Sequence, residues 1–183
     1  MEKVFLIEPL KEYKDEFVQM VQDYEKHGEI EKINMYKEAL DDFENYIKSL
    51  IDNSKGIGLP EVWGIGLPEV CVPYCTYWLV NSYNKILGVI RIRKELNSEF
   101  LKNIVGHIGY DIRPSERKKG YATKMVSLSL SLVKKLSIKK ALVTCVKTNI
   151  ASAKTIINNG GVLENEIIKD GEVIQRYWID IKL

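Results

Sequence analysis

The chain has 183 residues, 45% of them hydrophobic, which is enough to bury one sizeable core and makes a single domain over 1–183 the default. Its 27 Lys and Arg against 25 Asp and Glu leave a net charge of +2, which speaks against an extended basic surface for nucleic acid or anionic membrane, so any basic site has to be local. Three cysteines and two histidines cannot supply a four-ligand zinc spacing, so no metal is expected; Cys71, Cys75 and Cys145 read as unpaired thiols in a reducing cytosol.

The first run, Val4 to Ile7, is a strand ended by Pro9; four apolar residues are too few for a signal peptide. The longest uncharged run, 70–84, contains Pro73 and is shorter than a membrane span. A soluble, cytoplasmic protein is the expectation. From Tyr13 to about Gly28 the residues Phe17, Val18, Met20, Val21 and Tyr24 recur at helical spacing. A second helix is predicted from about Asn34 to Ile51.

Between these helices and the next strand lies "GIGLPEVWGIGLPEV", the same seven residues twice around Trp63. Neither Gly-x-Gly is expected to follow a strand or open a helix, so the segment fails the context of a phosphate loop. Two copies are too few for a repeat fold, and an in-frame duplication of a loop over 56–75 is the reading. Next, "TYWLVNSY" and "KILGVIRIRKEL" read as a β-hairpin, and "GHIGYDIRP" as a strand closed by Pro114. A helix follows from about 118 to 137, then a buried strand 141–146, then a short helix capped at Thr148 or Asn149 and stopped at Asn159-Gly160. Two last strands meet at Asp170-Gly171. This order predicts an α/β architecture, a mixed sheet with helices on both faces.

The stretch "IRPSERKKGYATKM" carries the chemistry. Arg117, Lys118 and Lys119 are predicted at a helix start, where the macrodipole disfavours cations by a few tenths of a kcal/mol. A bound phosphate resolves the conflict, because it meets both the unpaired first-turn N–H groups and the three side chains. Gly120 admits a close backbone approach, and Ala122 keeps the next position small. A solvated lysine-rich helix start is the alternative on these residues alone.

Strand, Arg117-x-x-Gly120-x-Ala122 opening a helix, a buried strand, then Asn149-x-x-Ser152 and Asn159-Gly160-Gly161 together resemble the GNAT superfamily of acyl-CoA-dependent N-acetyltransferases. Within it the chain looks closest to a bacterial subgroup with "GHIGY-x-[IV]-RPSERRKGYAT" and "NIAS-x-K-x-I-x-x-NGG". The resemblance runs from about Tyr77 to the C-terminus, and the preceding helix pair fits the same fold. It implies a mostly antiparallel twisted sheet of about seven strands.

It also implies acetyl-CoA as co-substrate, lying between the strands that end at Arg113 and start at Ala141. The backbone of Ile112 and Arg113 would pair with the pantetheine arm, and the N–H groups of Lys118, Lys119, Gly120, Tyr121, Ala122 and Thr123 would hold the pyrophosphate. Arg117 would contact or screen it, Asn149 would bond the pantetheine or thioester end, and Ser152 with Lys154 would border the cofactor. Relatives pass through one Leu-Pro-Glu before the "TYWLV" strand, which makes the first copy of the heptapeptide the insertion. The first helices and the loops after them would build the wall for a small-molecule or peptide amine.

The chemistry needs a base for the ammonium, a donor to the oxyanion and a proton for the leaving thiolate. The Ile112 N–H is the oxyanion candidate. The tyrosine that relatives carry seven positions beyond the asparagine is Ile156 here, so Tyr110, Tyr177 or water would replace it. Tyr110 and His107 are the catalytic candidates, although alternation puts His107 on the opposite face from Ile108, Tyr110 and Ile112; Glu164 and Glu166 are further options for the base. A non-catalytic acyl-CoA-binding module is the rival reading, and an RNA-binding domain is weak at 9% aromatic residues. A homodimer is compatible with the sequence.

Overall fold

The computed structural model describes residues 2–59, 61–63, 68–70 and 72–182, with side chains at all of these except 61–63 and 68–70. Strand β1 (Val4–Ile7) leads into helices α1 (Lys14–Lys26), α2 (Ile30–Met35), α3 (Lys37–Asp41) and α4 (Phe43–Ser54). Thus the single helix predicted over 34–51 is cut into pieces. Asp42 leaves helical geometry (φ −145°, ψ 92°) and its carboxylate accepts from the Asn45 N–H at 3.0 Å. An aspartate that caps a new helix competes with continuing the old one, and the apolar periodicity does not register the break.

The doubled segment contains β2 (Glu61–Trp63) and β3 (Pro68–Val70), paired antiparallel with Glu61 opposite Val70 and Val62 opposite Glu69. The same Glu-Val pair from each copy therefore faces its duplicate. The second Gly-x-Gly directly follows β2, contrary to expectation, but it leads to β3 and not to a helix. Residues 64–67 and Cys71 lie outside the described residues.

The hairpin β4 (Tyr74–Asn81) and β5 (Ile86–Arg93) is followed by a π-helical turn at Leu101–Val105 and by β6 (Ile108–Ile112). Helix α5 (Tyr121–Lys135), β7 (Lys140–Val146), α6 (Ile150–Asn158) and the hairpin β8 (Gly161–Lys169) and β9 (Glu172–Asp180) complete the order. Helix α5 begins three residues later than expected, because Lys118 (φ 62°) and Gly120 (φ 82°) are left-handed. The cation cluster thus sits on the loop before the helix.

One sheet has the order β1-β4-β5-β6 and the other β7-β9-β8, all neighbours antiparallel, which makes the seven strands of a mixed α/β fold. The sheets meet at one point. The His107 N–H donates to the Leu142 C=O at 2.7 Å, and the Leu142 N–H donates to His107 Nδ1 at 2.9 Å. Gly106 (φ 72°) allows this approach, since a Cβ there would lie 2.6 Å from the Leu142 oxygen. Beyond this junction β6 has no ladder to β7 among the described residues.

Two apolar clusters cover the faces. One packs α5 and α6 on the sheets through Met125, Val126, Ile156 and Tyr177; the other packs α1 to α4 through Phe17, Tyr24, Tyr36, Phe43 and Trp78. Each fully buried large side chain contributes about 1.5–3 kcal/mol. No helix among the described residues is long and apolar enough to cross a membrane.

Candidate active site

The register of β6 determines what its free edge offers. The Arg93 N–H donates to His107 and the Arg113 N–H to Leu87, at 2.8 and 2.9 Å, so the odd-numbered residues of β6 bond to β5. The N–H and C=O groups of Tyr110 and Ile112 therefore point away from β5, towards the gap before β7. A cleft of about 700 Å³ lies along this edge. Its far wall is the 117–120 loop and the first turns of α5 and α6. Helix α5 has no side-chain cap, unlike α4 and α6, so its first N–H groups keep their hydrogen-bonding capacity for a ligand. Lys118 and Lys154 line the same wall and have no ion pair among the described residues.

Ten of the residues singled out for the co-substrate line this cleft: Ile112, Arg117, Lys118, Gly120, Tyr121, Ala122, Thr123, Asn149, Ser152 and Lys154. Asn149 also caps α6 through the Ser152 N–H at 3.0 Å, so capping does not remove it from the wall. Arg113 departs from the expectation. Its N–H belongs to the β5 ladder, its C=O accepts from Glu116, and its buried guanidinium donates to Glu16, Asp23 and the Gln19 carbonyl of α1. The side chain of Lys119 departs too, because the buried Glu116 carboxylate holds it at 2.8 Å and Lys85 at 2.5 Å; its N–H is not engaged by this pairing. Arg117 lines the cleft but is engaged. It donates to both Glu29 oxygens at 2.6 and 2.9 Å, and its Nε donates to the Ile112 carbonyl at 3.0 Å.

The catalytic candidates separate clearly. Tyr110 faces the cleft with its hydroxyl 2.9 Å from Ser152 Oγ, and burial pushes its pKa up to about 12. It is a proton donor at neutral pH. His107 does not line the cleft. Its Nδ1 lone pair accepts the Leu142 N–H, and burial lowers its pKa to about 4. This histidine joins the two sheets and has no lone pair left for a substrate proton in that tautomer.

Three further options also lie elsewhere. Glu164 is paired with Arg176 at 2.6 Å, Glu166 with Lys147 at 2.9 Å, and the Tyr177 hydroxyl donates to Gln175 at 2.8 Å; none of them lines the cleft. Ile156 is fully buried in the core, not in the cleft.

Sequence reasoning missed the other side of β6. Asp111 is 8% exposed and borders the cleft together with Glu29 and Lys32. Its Oδ1 accepts from the Tyr24 and Tyr36 hydroxyls at 2.6 and 3.1 Å. Its Oδ2 meets Arg91 at 3.1 Å and Lys32 at 3.3 Å. Burial pushes this carboxyl up, but Arg91, Lys32 and the hydroxyl donors outweigh it and hold it below its ordinary range. The signal was an aspartate within the apolar strand "IGYDI", beside tyrosines that read as core positions.

A family model for the acetyltransferase (GNAT) domain matches residues 5–162. No curated protein matches the chain in sequence. Among solved structures, a microcin self-immunity acetyltransferase, MccE, in complex with acetyl-CoA and AMP, is similar with a TM-score of 0.63 and 19% identity over 99% of this chain and 94% of that one. The ribosomal-protein α-N-acetyltransferase RimL in complex with coenzyme A gives 0.66 and 14% over 97% and 94%. A spermidine N-acetyltransferase from Vibrio cholerae with CoA and spermine gives 0.63 and 12% over 97% and 95%.

Proposed function

This chain belongs to the GNAT acetyltransferase family, and from that premise we propose that it transfers the acetyl group of acetyl-CoA to a primary amine of a small molecule or peptide by direct attack. One observation carries the reading: the outward N–H and C=O groups of Tyr110 and Ile112 share a cleft with the uncapped start of α5 and the unpaired Lys118 and Lys154. A strand edge suits an amide-bearing arm, and a helix start flanked by lysines suits its phosphates. The acceptors named for the solved relatives, a ribosomal protein and spermidine, are both amine-bearing.

The amine nitrogen forms the C–N bond while the C–S bond of the thioester breaks, and the displaced sulfur leaves as a thiolate. The Ile112 N–H is placed to donate to the carbonyl oxygen as charge develops there. Tyr110, protonated and hydrogen-bonded to Ser152, donates to the thiolate; a thiol pKa of about 8.5 makes the demand modest. The ammonium proton leaves to water, since Glu29 and Asp111 are both engaged with cations.

Acetyl-CoA is expected to raise the melting temperature, and an amine panel is expected to release free CoA. No shift at millimolar acetyl-CoA overturns the reading. A second reading, a non-catalytic acyl-CoA-binding module, draws on Ile156 standing buried where relatives carry an acid. Binding without CoA release from any amine would establish it instead.

A further inference from the structure

The charges on the cleft wall carry an inference about the acceptor, which rests on the acetyltransferase reading above. Three carboxylates line the cleft, and each is already paired: Glu29 with Arg117, Glu116 with Lys85 and Lys119, and Asp111 with Arg91 and Lys32. Asp111 also accepts the hydroxyls of two tyrosines and an N–H of Arg91, which takes up most of the roughly four lone-pair directions of a carboxylate. Among the described residues, a polyamine entering here finds no carboxylate without a cation, and meets a wall where cations outnumber acids.

The two faces of β6 divide the work. Tyr110 and Ile112 project towards α5 and α6, where the phosphate-binding features are, whereas Asp111 projects towards α1 and α2. With the acyl donor on the α5 and α6 side, the side left for the amine is that of α2, whose Lys32 borders the cleft. There Lys32 is 26% exposed and forms an ion pair with Asp111 at 3.3 Å, which leaves donors of its ammonium available. Its spare donors and the surplus positive charge of the Arg91, Lys32 and Asp111 group suit an anion.

We propose that the acceptor is an amine that also carries a carboxylate or a phosphate, and that Lys32 receives this anionic group. The test compares free amino acids and aminoalkyl phosphates with their neutral amide or alcohol isosteres, and with spermidine and putrescine. CoA release is measured, and so is melting of the CoA-loaded protein, so that binding is read even without turnover. At least one anionic class is expected to exceed its neutral isostere by about tenfold in kcat/KM or in affinity, and which class does so identifies the group.

Lys32→Met should collapse that ratio, and Lys32→Arg should keep most of it. Preference for polyamines, equal use of anionic and neutral amines, or a Lys32→Met loss confined to the KM of acetyl-CoA overturns the proposal. Acetylation of polyamines alone would do so while leaving the acetyltransferase reading intact; absence of acetyl-CoA binding would overturn both.

Discussion

The two faces of β6 hold charge in opposite ways. On the α5 and α6 side, Lys118 and Lys154 have no ion pair among the described residues and the first turn of α5 has no side-chain cap. On the α1 and α2 side, a buried carboxylate gathers two hydroxyls, a guanidinium and an ammonium. The first arrangement has hydrogen-bonding capacity that no side chain among the described residues takes up. The second is satisfied from within, and fixes α1 and α2 against the sheet while presenting Lys32. Binding capacity follows unpaired groups, not the number of charges, which is why three carboxylates on the cleft wall do not make an ammonium site.

The largest expected effect breaks the first face. Gly120→Glu puts a side chain where φ is 82°, at a strain of about 1–2 kcal/mol, and a carboxylate where the phosphates are proposed to lie. The acetyl-CoA-dependent rise in melting temperature should vanish. If it persists, the phosphate site is not at this helix start.

Asp111→Asn breaks the second face. It leaves Arg91 and Lys32 without their counter-charge and should cost roughly 3–5 kcal/mol in denaturant unfolding. Because the folded-state pKa of Asp111 is lowered, its stabilising contribution is present above the ordinary carboxylate pKa and is lost as pH falls through the lowered value. The wild type should therefore lose stability on acidification in a step that the Asn variant lacks. A variant with unchanged stability at neutral pH would show that the network does not hold the helices.

Tyr110→Phe sharpens the comparison at the edge between the faces. Loss of a proton donor should lower kcat on the order of 10²-fold, while removal of the hydrogen bond to Ser152 costs about 1 kcal/mol of stability. An unchanged kcat would reduce Tyr110 to a packing residue. The smallest effect belongs to deletion of residues 56–63, which removes the first heptapeptide copy and β2. Since among the described residues β2 pairs only with β3, acetyl-CoA binding should persist and stability should move by less than roughly 0.5 kcal/mol; insoluble protein would show that the first copy is structural.

Local signals made the cofactor-side reading legible. Apolar runs ended by Pro114, the Asp170-Gly171 turn and the helical series of α5 each act over a few residues, and the order of elements follows from them. The motif from Arg117 to Ala122 was legible from its spacing before an amphipathic helix, but the charge conflict read there is relieved within the chain, by Glu29 on Arg117 and Glu116 on Lys119. Local patterns were misleading at Asp42, where a side-chain cap broke a helix inside an unbroken apolar period. The same happened at Lys118, which takes a left-handed conformation ahead of α5.

The sequence by itself determined the order of elements from β4 onward and the family, because those rest on neighbours along the chain. Only the tertiary structure decided which charges are available. Arg113, Lys119 and His107 looked like site residues until Glu16 and Asp23, Glu116 and Leu142 were found to engage them. Asp111 and Lys32 entered the site only when α1 and α2 folded onto β6, bringing together groups up to 87 positions apart. Pairing between distant residues carries no local pattern, and in this cleft that pairing determines which charges remain for an acceptor.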